Sequence, residues 1–285
     1  MEPELIADYG CVTGEGPLWH PDEQRLYWVD IPTGRLFRYD PAKNTHEQLF
    51  EGEALGGFTI QADGALLLFM ARGAIKTWRD GRFSTVVEEI PDERESRFND
   101  VIADPKGRVY CGTMPAKGRL GRLYRLDPDG SLTKLLDGIG CSNGLGFTPD
   151  RKHLYYTDSP KREIYLFDYN EADGAIANQR VFVKLPDDGG VPDGMTVDAA
   201  GYVWSAIWDG GCLIRFAPDA TEERRVSFPA KKVSCVTFGG PNYEDMYVTT
   251  AGGKDKESEG PGAGALFRIN LGIKGVSEFR SRIGL

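Results

Sequence analysis

The chain repeats itself. The stretch from Leu18 to Tyr27 has the same shape as that from Gly146 to Tyr155: apolar residues, a Pro-Asp turn, then Leu-Tyr. The shape returns from Val101 to Tyr110 and from Met195 to Trp204. Weaker copies run from Thr59 to Leu67 and from Val236 to Pro241, the latter followed by Met246, Tyr247 and Val248. Short runs of branched and aromatic residues bounded by Gly, Pro and Asp are strand signals, so each copy predicts a strand, a tight turn and a second strand. A third strand follows most copies: Leu36 to Asp40, Leu123 to Asp127, Ile164 to Asp168, Leu213 to Phe216 and Leu266 to Asn270. The turn markers Pro21, Gln61, Asp104, Pro149, Asp198 and Gly239 are 40, 43, 45, 49 and 41 residues apart. A period in the forties with three or four strands per unit predicts an all-β fold, a six-bladed β-propeller of four-stranded blades occupying residues 1–285 as one domain. The last repeat lacks a fourth strand. The segment Glu4 to Tyr9 is expected to supply it, closing the ring and removing an exposed edge.

Composition agrees with this architecture and narrows the partners. Hydrophobic residues make up 40% of the chain, and no apolar run is long enough for a membrane helix. The acidic start, Met1 to Leu5, has no basic and apolar leader pattern, and the five cysteines are scattered without a CxxC pair. Together these predict a cytoplasmic protein with reduced thiols. A net charge of -9 with no basic cluster argues against nucleic acid as partner. The tryptophans Trp28, Trp78 and Trp204 are expected in the packing between sheets.

Counting back five or six residues from the turn markers reaches Glu15, Gly56, Asn99, Asn143, Asp193 and Ser234. These positions are expected just before the first strand of each repeat. The innermost strands of a propeller line its channel, so the six form a ring around one mouth. Four of the six carry a carboxylate or a carboxamide. Such hard oxygen donors, without Cys or His, suit Ca²⁺, Mg²⁺ or Mn²⁺ better than Zn²⁺ or copper, and Glu15 with Asp193 would balance one divalent charge. A single Asn-Gly or Asp-Gly more often caps a turn; four at one register favour an ion. No HExxH, Walker or GxSxG motif is present. His20, His46 and His153 fall near turns or strand edges and are read as structural. The mixed-charge run from Asp92 to Arg97 is expected to be a solvated loop, except for Arg97, two residues before Asn99. The segment from Gly253 to Gly262 is read as a mobile polar loop rather than a binding site.

At these residues the chain resembles the senescence-marker-protein/gluconolactonase family, also called regucalcin-like proteins. The matching motifs run in order: Gly14-Glu15-Gly16-Pro17-Leu18-Trp19, Val29-Asp30-Ile31, Arg97-Phe98-Asn99-Asp100, Gly112-Thr113-Met114, Ser142-Asn143-Gly144, Tyr156-Thr157-Asp158-Ser159, Pro192-Asp193-Gly194-Met195 and Phe238-Gly239-Gly240. The resemblance implies a six-bladed propeller in which Glu15, Asn143 and Asp193 ligate one divalent ion, Ca²⁺ first, with Zn²⁺, Mn²⁺ or Mg²⁺ as other candidates. It implies substrate contacts from Arg97 and Asn99, and hydrolysis of a small-molecule sugar lactone to its aldonic acid. The ion would polarise the carbonyl and Asp193 would act as general base. A departure is the segment Pro115 to Leu120, shorter and more basic than the acidic lid of the animal proteins. Two alternatives stay open: a non-catalytic calcium-binding or regulatory propeller, and a hydrolase of another ester or a phosphotriester in the same metal site. No nucleic-acid or membrane partner is expected, and the chain is expected to be a monomer or a weak homo-oligomer.

Overall fold

Side-chain hydrogen bonds explain why the repeats become hairpins. The Asp104 carboxylate accepts the backbone N–H groups of Lys106 and Arg108 at 2.8 and 3.0 Å, and Gly107 takes the left-handed conformation (φ +83°) that completes the turn. Asp198 repeats this with Ala200 and Tyr202 at 2.9 and 3.1 Å, and Gly201 takes φ +85°. The computed structural model describes residues 2–187 and 189–285. Among them the chain forms six antiparallel sheets of four strands. Blade 1 spans residues 14–50, blade 2 55–87, blade 3 98–139, blade 4 142–184 and blade 5 191–227. Blade 6 takes three strands from residues 233–270, and its fourth is Glu4–Asp8, paired antiparallel to Ala265–Asn270. The ring closes with the N-terminal strand, as the repeats predict. The only helical segments among the described residues are three short 3-10 turns, and no described helix is long and apolar enough to cross a membrane.

In blades 1–5 the strand order follows the chain from the channel outward, and in blade 6 Glu4–Asp8 takes the outermost place. Exposure rises along that order. In blade 2 the inner strand Leu55–Ile60 is buried at every residue, and the outer strand Arg82–Val87 is exposed over its first four. Inner strands are buried on both faces because each blade packs between two others. Every junction has its own apolar cluster. Tyr27, Leu36, Phe58 and Trp78 join blades 1 and 2. Trp204, Phe228, Val236 and Phe267 join blades 5 and 6. Trp19, Trp28, Phe37 and Tyr247 join blade 6 to blade 1. Trp28, Trp78 and Trp204 are all buried in these junctions, as expected of them. The three histidines are likewise structural in their contacts: buried His20 bonds the Gly64 carbonyl, His46 meets Tyr9, and His153 meets Asp168.

Residues 271–285 were not anticipated by the repeat. They cross the turn side of the ring and touch every blade. Gly275 donates to Tyr243 O (2.7 Å), and Ala199 donates to Lys274 O (2.9 Å). Phe279 packs on Phe147 with ring centroids 6.0 Å apart. Arg282 donates to Gly107 O (2.9 Å), Ser281 to Ile60 O (2.9 Å), and Arg280 pairs with Asp22 at 2.6 Å. Glu278 and Phe279, with residues of all six inner strands, line a channel cavity of about 70 Å³. The tail therefore stands at one end of the channel. The segment from Gly253 to Gly262 is also more tied down than expected. It holds the 3-10 turn Lys256–Glu259, Lys256 pairs with Asp8 at 2.6 Å, and Glu259 pairs with Lys232.

Candidate metal and substrate site

Each inner strand breaks its pairing register at the same level. The shifts lie between Glu15 and Leu18, Leu55 and Gly57, Phe98 and Val101, Asn143 and Leu145, Pro192 and Met195, and Val233 and Cys235. A β-bulge re-aims side chains and tightens the local twist. Six bulges at one level turn a ring of residues toward the axis. The ring positions therefore lie inside the first strands, not before them, and the Asn-Gly and Asp-Gly pairs belong to bulged strands, not to capped turns. Glycine is needed beside them because inner strands approach closely. A Cβ on Gly144 would lie 2.6 Å from Asp193 O, and one on Gly194 2.3 Å from Cys235 Sγ.

Glu15, Arg97, Asn99, Asn143 and Asp193 line one pocket of about 390 Å³, open at the end of the channel away from the tail. The sequence-predicted site residues are thus brought together. Two ring positions do not join them. Ser234 turns away, donating to Gly14 O at 2.5 Å, and Gly56 offers no side chain. Asn143 is held by its amide nitrogen, which donates to Ser159 Oγ at 2.7 Å; Ser159 in turn donates to Pro192 O at 2.6 Å. That leaves Asn143 Oδ1 on the side of Asn99, whose Nδ2 donates to it and to Ser142 O (2.7 Å). Arg97 donates to Asn99 Oδ1 at 2.6 Å and to Phe98 O at 2.9 Å. Its guanidinium is therefore fixed before any substrate arrives. The remaining walls are largely apolar: Ile31, Met114, Pro160, Val191 and Trp208.

Negative charge dominates this space. Burial, and then the charges of Asp100 and Asp193, push the Glu15 carboxyl well above its usual range. Burial and Asp100 do the same to Asp193, while Arg97 opposes them. Burial raises Asp100 to about 7, with Arg97 pulling it down. Carboxylates gathered this tightly stay ionised only beside a cation. The donor set fits a hard divalent ion: two carboxylates and an amide oxygen whose orientation is set from behind by Ser159.

Asp100 and Cys235 were missed by the sequence reading. With Glu15 they place ligating atoms within 4.8 Å of one another. Both line the cavity shared with the tail, whereas Asn99 lines the pocket that holds Glu15 and Asp193. Burial, and then the charge of Glu15, push the Cys235 thiol well above its usual range, and Asp100 adds an oxygen donor beside Glu15. A signal for both existed one residue past the ring positions, where Gly16, Gly57, Gly144 and Gly194 occupy four blades and Asp100 and Cys235 the other two. Trp208 and Cys141 also went unnoticed, because nothing in the repeat marks their loops and strand ends, and Met114 stood in a matching motif without a site role. The run from Asp92 to Arg97 is a correction: Asp92, Arg94 and Glu95 are exposed, but Glu93 is fully buried.

A propeller that gathers carboxylates and amides from its inner strands, with one arginine from the loop before them, in a single pocket has the donors to hold a divalent ion there. Residues 13–252 match the SMP-30/gluconolactonase/LRE-like family model, and the chain belongs to that family. It is similar over its whole length to a pentonolactonase from Haloferax volcanii, 49% identical over 294 aligned residues with 100% of both chains covered. It is 35% identical to regucalcin from Xenopus laevis, with 96% of each chain covered. Among solved structures, a luciferin-regenerating enzyme superposes with a TM-score of 0.90 at 30% identity, covering 99% of this chain and 100% of that one.

Proposed function

We propose that this chain is a metal-dependent lactonase that opens a sugar lactone to its aldonic acid. The observation that carries the reading is one pocket holding Glu15, Asn143 and Asp193 together with a prepositioned Arg97, in a chain similar from end to end to a pentonolactonase. Glu15, Asn143 and Asp193 would hold the ion, and Ca²⁺ fits their all-oxygen set. When bound, a divalent ion supplies positive charge that polarises the lactone carbonyl and lowers the cost of the oxyanion. Asp193 accepts a proton from the attacking water. The water oxygen becomes part of the new carboxyl group, and the ring oxygen leaves as a hydroxyl after taking up a proton. Arg97 and Asn99 hold the ring hydroxyls so that the carbonyl carbon meets the water in register. Ile31, Val191 and Trp208 exclude bulk water from the apolar face of the ring.

Arginine in the pocket favours an enzyme over a pure ion-binding protein, which needs no cation beside its ligands. The reading is tested by acid release from a panel of pentono- and hexonolactones, aryl esters and phosphotriesters, each with and without chelator. Chelator-sensitive acid release from a sugar lactone is the expected result. Preference for an aryl ester or phosphotriester would reassign the substrate. Calcium binding by calorimetry with no hydrolysis of any compound would leave a non-catalytic calcium protein.

A further inference from the structure

Blade 3 carries a tight hairpin, Met114–Leu120, between its strands Val109–Thr113 and Gly121–Leu126. Ala116 and Arg119 exchange backbone hydrogen bonds of 3.1 Å, and Gly118 takes φ +80° at the tip. Met114, at the hairpin's start, lines the substrate pocket. Beside it runs the loop that leads from the 3-10 turn Pro91–Glu93 to Arg97.

Two sets of bonds join hairpin and loop. The first lies at the pocket: Met114 N donates to Arg97 O at 3.0 Å, and Ser96 Oγ donates to Met114 O at 2.6 Å. The second is built around Glu93. Its carboxylate receives the Arg119 guanidinium and the Tyr124 hydroxyl, the latter at 2.8 Å, with Arg122 more distant at 3.5 Å. Arg119 also donates to Asp92 O at 2.8 Å. Glu93 has no exposed surface, although Asp92, Arg94 and Glu95 around it are exposed. A surface loop buries a carboxylate only where its charge is matched, and here much of the match comes from the hairpin. Glu93 and Arg119 do not line the pocket, so their role is not direct contact with substrate.

We propose that the Glu93–Arg119 pair is a positioning device for substrate: it locks the hairpin to the 91–97 loop and so holds Arg97 and Met114 at the mouth of the pocket. The proposal rests on the lactonase reading. A locked rim has little freedom left to lose when the ring binds; an unlocked one must be ordered at each binding event, which weakens affinity. Asp193, Glu15 and Asn143 sit on inner strands that do not depend on the hairpin, so the pair acts on substrate binding more than on chemistry.

The test uses the full chain with calcium, as wild type, Arg119→Ala and Arg119→Lys. Arg119→Ala is expected to raise KM about tenfold while leaving kcat within about twofold, the pattern of lost substrate binding. Calcium affinity by calorimetry should be unchanged, and amide exchange across residues 114–120 should quicken. Arg119→Lys keeps the charge without the planar fork and should recover part of the KM. An unchanged KM in Arg119→Ala, or an equal loss of kcat and calcium affinity, overturns the proposal. Should wild type open no lactone, the lactonase reading fails by itself. Amide exchange then decides the lock: faster exchange in Arg119→Ala upholds it, and unchanged protection rejects it.

Discussion

Asp193 is asked to do two things, ligate an ion and take a proton, and one substitution separates them. Asp193→Asn keeps an oxygen donor and nearly the same shape but loses charge and basicity. At saturating calcium, lactone hydrolysis should fall at least about a hundredfold, the usual worth of a positioned general base. Arg97→Ala should give the opposite division: calcium affinity almost intact by calorimetry, and turnover or substrate affinity impaired, because its proposed partner is the substrate. A lactonase rate that neither change reduces would remove Asp193 and Arg97 from the proposed catalytic site. Residues of this ring were legible because their spacing from the turn markers is regular. Asp100 was not. Strict strand alternation sends a residue next to Asn99 to the opposite face of the sheet, and only the bulge between Phe98 and Val101 brings both toward the axis. Glu93 was hidden differently, as a buried acid inside a run whose composition reads as solvated.

Hairpins were legible at the element scale because their turn chemistry is local. The Asp-x-x-Gly turns need only four residues to specify them. The N-terminal strand was legible for another reason: a ring with one strand missing implies where the spare strand goes. Its contacts give that closure weight. Glu4, Leu5, Ala7 and Asp8 pair with Arg268, Phe267, Leu266 and Ala265, and Tyr9 stacks on Phe37 with centroids 4.5 Å apart. Deleting residues 1–9 would unpair the edge of blade 6 and uncover the cluster that joins it to blade 1. We expect a loss of about 4 kcal/mol, seen as a fall in Tm of roughly 8 °C or more by calorimetry. An unchanged Tm would show that the ring does not depend on this strand. The course of residues 271–285 could not be read, since the segment has no period and is held by backbone bonds to residues far away in the chain.

At the scale of the whole molecule, the proposed ion ties together blades that otherwise meet only their neighbours. Its ligands come from blade 1 (Glu15), blade 4 (Asn143) and blade 5 (Asp193), while Asn99 of blade 3 bonds Asn143. Without an ion, burial and the neighbouring acids favour the protonated carboxyls, so ionising them is coupled to ion binding. An ion that binds the folded ring and not the unfolded chain stabilises it by mass action, by about 2.7 kcal/mol at a free concentration one hundred times Kd. Calcium titration should show one ion per chain, and Tm should climb with the logarithm of calcium concentration. Glu15→Gln keeps an oxygen donor but removes one of the two ligand charges. It should weaken calcium binding and move the Tm response to higher calcium. In the absence of calcium the same variant should be at least as stable as wild type, because a neutral glutamine suits that buried acidic cluster. Equal calcium affinity in wild type and variant would exclude Glu15 as a ligand. A variant less stable than wild type without calcium would show instead that the Glu15 carboxyl itself serves the fold.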